Sequence, residues 1–249
     1  MSEPQRLMGS SLSHQLYLLL RDDILRGRLA PEAQLPAEKA LAEQHHVSRI
    51  TVRKALERLE ADNLVRRVHG SGTFIEPQAR PARLVGRLEG FMEQSDWLTR
   101  NTDVELLLIE TIEPPPAVAE AMRLDAGERV QRSIRLRRYR RKPCLLLETF
   151  VPDWLAALYS TADLESGSLQ VAVRRAGIEL GAVDYTVSAA PADPRLAEAL
   201  GVPVATALIS MVWTFRDTQD RIIEYQYAHA RPDVYVLHTS LRPPHQGAP

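Results

Sequence analysis

The sequence predicts an α+β chain of two domains, and three observations carry that reading. Three helical patterns and then a hairpin pattern fill the first quarter, a proline-bearing stretch without apolar periodicity follows, and short helices then alternate with long strand-like runs. At 249 residues, each domain has enough chain for its own core. Hydrophobic residues are 45% and charged residues 25%, which excludes a disordered or collagen-like chain. The single cysteine, Cys144, forms no internal disulfide, and no run approaches the ~18 apolar residues of a membrane span. A cytoplasmic protein without membrane association is therefore expected. The net charge of -1 gives no global pull toward nucleic acid, so such a role must come from local distribution.

Ser10-Ser11 suits the cap of a first helix, with Leu12, Leu16, Leu19, Leu20 and Ile24 recurring near every 3.6 residues and Gly27 at its end. Leu35-Pro36-Ala37-Glu38 predicts a short second helix with Pro36 at its first position and Leu41 and Ala42 inward, ending near His46. Ser48 caps a third helix ending near Asn63, whose apolar stripe is Val52, Ala55, Leu56 and Leu59. Leu64 to Val68 and Thr73 to Ile75 read as strands around the turn His69-Gly70-Ser71-Gly72. Pro77 and Pro81 mark a linker. The domains are accordingly drawn at 10–76 and 85–243, with the linker at 77–84.

Beyond the linker, helices are expected near 86–96, 117–124, 167–176 and 194–200. Strands are expected near 104–112, 129–139, 144–151, 179–190, 204–217 and 221–230, on one antiparallel sheet. Ala119-Glu120-Ala121-Met122-Arg123-Leu124 resembles Ala197-Glu198-Ala199-Leu200-Gly201-Val202, and each precedes a strand, a polar turn (Arg140 to Pro143; Thr218 to Arg221) and a second strand. Two related halves around a shared interior are expected.

Three helices with a tight turn between the second and third, followed by a hairpin, fit a winged helix-turn-helix. The third helix is the candidate reader of double-stranded DNA. Its first turn offers Ser48, Arg49, Thr51 and Arg53 before any acid, and arginine bonds both acceptors of a guanine edge. Between residues 47 and 74, six cationic side chains face three acids, so the near-zero total conceals a basic end. Gly70 and Gly72 give the wing turn the backbone freedom for close approach to a duplex.

Leu35 to Gln44, Val47 to Leu56 and Gly70-Ser71-Gly72-Thr73-Phe74 together resemble the DNA-binding domain of GntR-type bacterial transcription regulators. The resemblance implies contact by Lys39, Ser48, Arg49, Thr51 and Arg53 in and beside the major groove, with His69 and Gly70 at the wing tip in the minor groove. Lys39 stands where that family usually has arginine, and His45-His46 replaces its usual turn ending in glycine. The second domain, from Gly127-Glu128-Arg129-Val130 through Glu148 and on to Glu224-Tyr225 and Arg231-Pro232-Asp233, resembles the effector (UTRA) domain of the HutC-like branch. That likeness implies a chorismate-lyase-like α/β fold binding a small polar or anionic metabolite, with Glu148 and Glu224 at the ligand.

Period-two alternation puts Gln131, Ser133, Arg135, Arg137 and Tyr139 on one strand face, which makes Arg135 and Arg137 the candidate anion grips. Glu148 has a plainer reading as an ion-pair partner of a strand arginine. Trp213 and Phe215 read as core, and Cys144 as packing. The histidines lack partners at zinc spacing, so neither metal nor cofactor is expected. No poised acid–base constellation is visible, so the chain is read as a regulator rather than an enzyme. It is expected to be a homodimeric repressor on an operator of inverted symmetry, whose affinity a small-molecule effector changes. A ligand-independent DNA-binding protein, or one with a lyase-like second domain, is the alternative.

Overall fold

A computed structural model describes residues 11–68, 70–77, 84–87, 98–166 and 169–238, and divides the chain into two compact units, Met1–Ala82 and Arg83–Pro249.

The first unit contains α1 (Leu12–Leu25), α2 (Glu38–Gln44) and α3 (Arg49–Ala61), then the antiparallel pair β1 (Val65–Val68) and β2 (Gly72–Ile75). Ser11 and Ser48 cap α1 and α3, each side-chain oxygen accepting a backbone N–H three residues on. The stripe Val52, Ala55, Leu56 and Leu59 is buried in one cluster with Leu16, Leu20 and Ile24 of α1. Each fully buried leucine there contributes about 1.5–3 kcal/mol.

Two local features set the geometry around α2. Pro36 lies ahead of the helix rather than at its first position, because Ala37 is the N-cap and the chain before it is extended. The Leu35 N–H donates to the Thr73 carbonyl at 2.8 Å, and Gln34 bridges to Phe74, which holds this segment beside the wing. At the other end, His46 turns the chain into the left-handed region (φ 51), and the Val47 N–H closes back on the Ala42 carbonyl at 3.0 Å. His45, just before it, is buried in the unit.

The second unit opens with β3 (Leu84–Arg87). One six-stranded antiparallel sheet follows, formed by β4 (Asp103–Ile112), β5 (Val130–Tyr139), β6 (Lys142–Pro152), β7 (Leu180–Pro191), β8 (Ala207–Asp217) and β9 (Ile222–Ala230), in the order β4-β5-β6-β9-β8-β7. β10 (Tyr235–His238) returns to lie parallel to β3. The helix expected near 86–96 is therefore preceded by a strand at 84–87, where apolar Leu84 and Val85 pair with Tyr235 and Val236. The rest of that expected helix, and residues 78–83 of the expected linker, lie outside the described residues.

Among the described residues, the helices of this unit that pack on the sheet include α4 (Pro116–Met122), α5 (Asp153–Ala156), α6 (Thr161–Ser166), α7 (Leu169–Arg175) and α8 (Pro194–Leu200). The repeat seen in the sequence is a structural one. β4-α4-β5-β6 and β7-α8-β8-β9 share one order of elements, and the halves join where β6 pairs with β9. α4 and α8 both begin at proline and end in a left-handed residue, Arg123 (φ 55) and Gly201 (φ 62). The next N–H then closes back in each case, Leu124 on Ala119 and Val202 on Ala197.

One face of the sheet packs Leu147, Val151, Met211, Phe215 and Ala228 against Leu155 of α5, Leu164 of α6 and Leu169 and Val173 of α7. The other face meets Val118 and Met122 of α4 through Val130 and Phe150, and Ala197 and Leu200 of α8 through Leu136. The β5–β6 turn is shorter than expected, since Arg140 and Arg141 alone make it, both left-handed. Pro143 is already inside β6, at a register shift that spares the ladder bond it cannot donate.

His46 occupies a conformation that costs a side chain with a Cβ roughly 1 kcal/mol or more. His46→Gly is expected to raise the unfolding free energy of the chain by about 1 kcal/mol; urea denaturation followed by helical circular dichroism measures it, and an unchanged midpoint would contradict the assignment.

Candidate nucleic-acid interface and effector site

The first turn of α3 is a capped helix end whose outer side is open. Ser48 Oγ accepts from the Thr51 N–H at 3.1 Å and lies 2.9 Å from Thr51 Oγ1, so the two hydroxyls form one local knot. Arg49, Ile50, Arg53 and Lys54 are exposed around it. Arg53 has an ion-pair approach of 4.0 Å to Glu57, and Lys39 on α2 one of 3.9 Å to Glu43, all four side chains more than half exposed. Exposed pairs of this kind are worth little and give way readily to phosphate. Arg58 turns back instead, its guanidinium 4.5 Å from the Tyr17 ring centroid.

The wing is fastened beside this end. Arg67 Nη2 donates to the Arg53 carbonyl at 3.2 Å, and Gln34 Nε2 donates to the Ser71 carbonyl at 2.7 Å. Glycine suits position 72 because its φ is +120, a conformation other residues rarely adopt, and an added Cβ would also push Gln34 Nε2, 2.5 Å away, off its present place. Gly70 has φ +75 and nothing within 4 Å of an added Cβ, which leaves the tip open to an approaching surface. His69 lies outside the described residues.

In the second unit, Arg135, Arg137 and Glu224 are all buried on one face of the sheet, with Arg135 and Glu224 each only 2% exposed. Arg135 Nη2 donates to Thr149 Oγ1 at 3.3 Å, and Gln226 Nε2 donates to the same oxygen at 2.9 Å and to Glu224 Oε1 at 3.1 Å. From α7, Gln170 Nε2 donates to Glu224 Oε2 at 2.8 Å. Arg137 Nη1 reaches Thr102 Oγ1 at 2.8 Å. Burial pushes the Glu224 carboxyl up to about 7, against the downward pull of Arg135 and of the Gln170 hydrogen bond. Burial also draws both guanidiniums below their ordinary range, Arg137 to about 10, with Arg135 adding like-charge repulsion on Arg137. Arg137 stays charged near neutral pH, and the carboxyl beside Arg135 is the group that burial moves toward its protonated form.

Glu148 belongs to a different place. It stands opposite Ile134 in the ladder, so the alternation that turns Thr149 toward Arg135 turns Glu148 to the other face. There it pairs with Arg132 at 2.7 Å, and Arg132 also bonds Glu110 at 2.8 Å. The ligand contact implied for Glu148 by resemblance is thus not brought together with Arg135 and Glu224. Thr149, Gln170 and Gln226 are, and sequence reading passed over all three. Thr149 carried a signal, as a hydroxyl among the inward Leu145, Leu147 and Val151; Gln170 carried none.

Cys144 is buried and donates to the Arg137 carbonyl at 3.2 Å, while Trp213 and Phe215 stack within the core. Among the described residues, no helix is long and apolar enough to cross a membrane.

Comparison with known proteins gives this arrangement a family. Residues 12–75 match the model described as bacterial regulatory proteins, gntR family, and residues 98–236 match that of the UTRA domain. The chain is 30% identical to the HTH-type transcriptional regulator GgaR of Escherichia coli (strain K12) over 82% of its own length and 80% of that protein's. It is 32% identical to the mannosyl-D-glycerate transport/metabolism system repressor MngR of the same organism, over 57% of this chain and 58% of that one. The crystal structure of PhnF from Mycobacterium smegmatis has the same fold, with a TM-score of 0.57 at 24% identity over 91% of this chain and 99% of that one. A capped cationic helix with a fastened wing in one unit, and a UTRA sheet in the other, place this chain in the GntR family of bacterial transcription regulators.

Proposed function

We propose that the chain is a repressor that binds an operator of inverted symmetry as a homodimer and releases it when a small anionic metabolite occupies the second unit. The observation that carries the reading is the first turn of α3. Arg49 and Arg53 stand exposed at a capped helix end whose opposite side is core, with the wing tied to Arg53 itself. In this reading Arg49 and Arg53 meet base edges, Lys39, Ser48 and Thr51 meet phosphates, and Gly70 lets the wing approach the adjacent groove. Two half-sites supply the discrimination that one reading helix lacks, hence the homodimer.

The effector is read by Arg135 and Arg137, with Glu224 accepting from a hydroxyl or amine of the same molecule. Two guanidiniums buried on one sheet face, Arg135 interacting with the Glu224 carboxyl, favour a carboxylate or phosphate. MngR is named as the repressor of a mannosyl-D-glycerate transport/metabolism system, and glycerate carries a carboxylate, which supports the same ligand class. A tenfold loss of operator affinity requires only about 1.4 kcal/mol of coupling, within the usual range.

Arg49→Ala and Arg53→Ala are each expected to weaken operator binding by about 1–3 kcal/mol and to relax base selectivity, as read by gel-shift titration. Arg135→Gln is expected to keep operator affinity and lose release by metabolite; release equal to that of the parent chain would remove Arg135 from the site. A separate test concerns pH. Folding raises the Glu224 pKa from 4.5 to about 7, so the folded chain binds more protons between those values and its stability falls as pH rises through them. Denaturant titrations are expected to show that slope in the parent and a flatter one in Glu224→Gln.

A further inference from the structure

We infer that Ile50 reads the 5-methyl group of a thymine in each operator half-site; this deepens the DNA-binding proposal and rests on it. At 70% exposure, Ile50 is the most exposed large hydrophobic side chain among the described residues. Neither packing nor local propensity accounts for it. It is absent from the cluster that buries Val52, Ala55, Leu56 and Leu59, and a β-branched residue is not a favoured choice for an exposed helix turn. Its direction is informative. At 3.6 residues per turn, Ile50 lies about 170° around α3 from the centre of that buried stripe, so it points straight away from the core. Arg53 and Lys54, three and four residues on, are its neighbours on the same outer surface, and Arg49 adjoins it in the chain.

Those neighbours define what Ile50 meets when the helix tip enters a groove. The cations bond phosphate oxygens or guanine acceptors, whereas an sec-butyl side chain offers neither donor nor acceptor. In the major groove the apolar feature of a base pair is the thymine methyl, which an aliphatic side chain covers while excluding water. The minor groove presents no such group. Arg49 and Arg53 thus supply charge and hydrogen bonds to one part of a half-site, and Ile50 supplies selectivity for thymine at a position beside them.

The test uses the full-length chain and a duplex that it selects from a random-sequence pool. Each thymine of the selected duplex is replaced in turn by deoxyuridine, which removes only the methyl group and leaves the hydrogen-bonding edge intact. One thymine in each half-site is expected to be sensitive, its replacement weakening the parent chain by about threefold to fivefold. Ile50→Ala is expected to bind both forms of that duplex equally. A second selection with Ile50→Gln, a substitution at an exposed site that leaves the core untouched, is expected to lose the thymine preference at that position alone. The inference is overturned if the parent binds its selected duplex but no uridine replacement matters, if Ile50→Ala stays as sensitive as the parent, or if Ile50→Gln selects the same thymine. Failure of the DNA reading itself looks different: the parent then enriches no sequence from the pool.

Discussion

A regular backbone sorts its side chains by its own period into fixed sets facing fixed sides, and both units of this chain are organised by that constraint. In α3 the helical period commits Val52, Ala55, Leu56 and Leu59 to the core they share with α1. The same commitment leaves Arg49, Ile50, Arg53 and Lys54 outside. No separate device is needed to present that cationic surface. The Ser48 cap then fixes where the helix begins, and His46 fixes the angle at which the chain enters it.

In the sheet the period is two, and its inward side holds groups that an apolar core does not call for. Arg135, Thr149, Glu224 and Gln226 lie among leucines and aromatics and are joined through hydrogen bonds converging on Thr149 and Glu224. Buried charges are costly unless well compensated, and replacing them with apolar groups often stabilises a fold. Their presence is a reason to look for function rather than stability. By contrast, Arg132 with Glu110 and Glu148 forms a partly exposed ion cluster on the opposite side, an ordinary cross-strand arrangement.

Much of this was legible in the sequence because the decisive signals are local. The stripe of α3, its serine cap and the glycines of the wing are read off adjacent residues, and the six strands of the large sheet follow from alternation and turns. What was not legible depends on distant partners. Pro36 looks like a first helical residue until the extended chain held by Thr73 displaces the helix start. Leu84 and Val85 become a strand because β10, some 150 positions later, lies beside them. Glu148 and Thr149 are neighbours in sequence, and only the ladder register decides which one shares a face with Arg135. Gln170 enters the same cluster from a helix whose approach no periodicity reveals.

The meeting of the two halves at β6 and β9 has a consequence for how the second unit responds to occupancy. Arg135 and Thr149 belong to one half, Glu224 and Gln226 to the other, and the boundary between the halves runs through the middle of the hydrogen-bonded cluster. A molecule gripped by Arg135 and Glu224 together would act as a rivet across that seam. Each repeat supplies only part of that grip, so neither repeat alone could serve as a sensor.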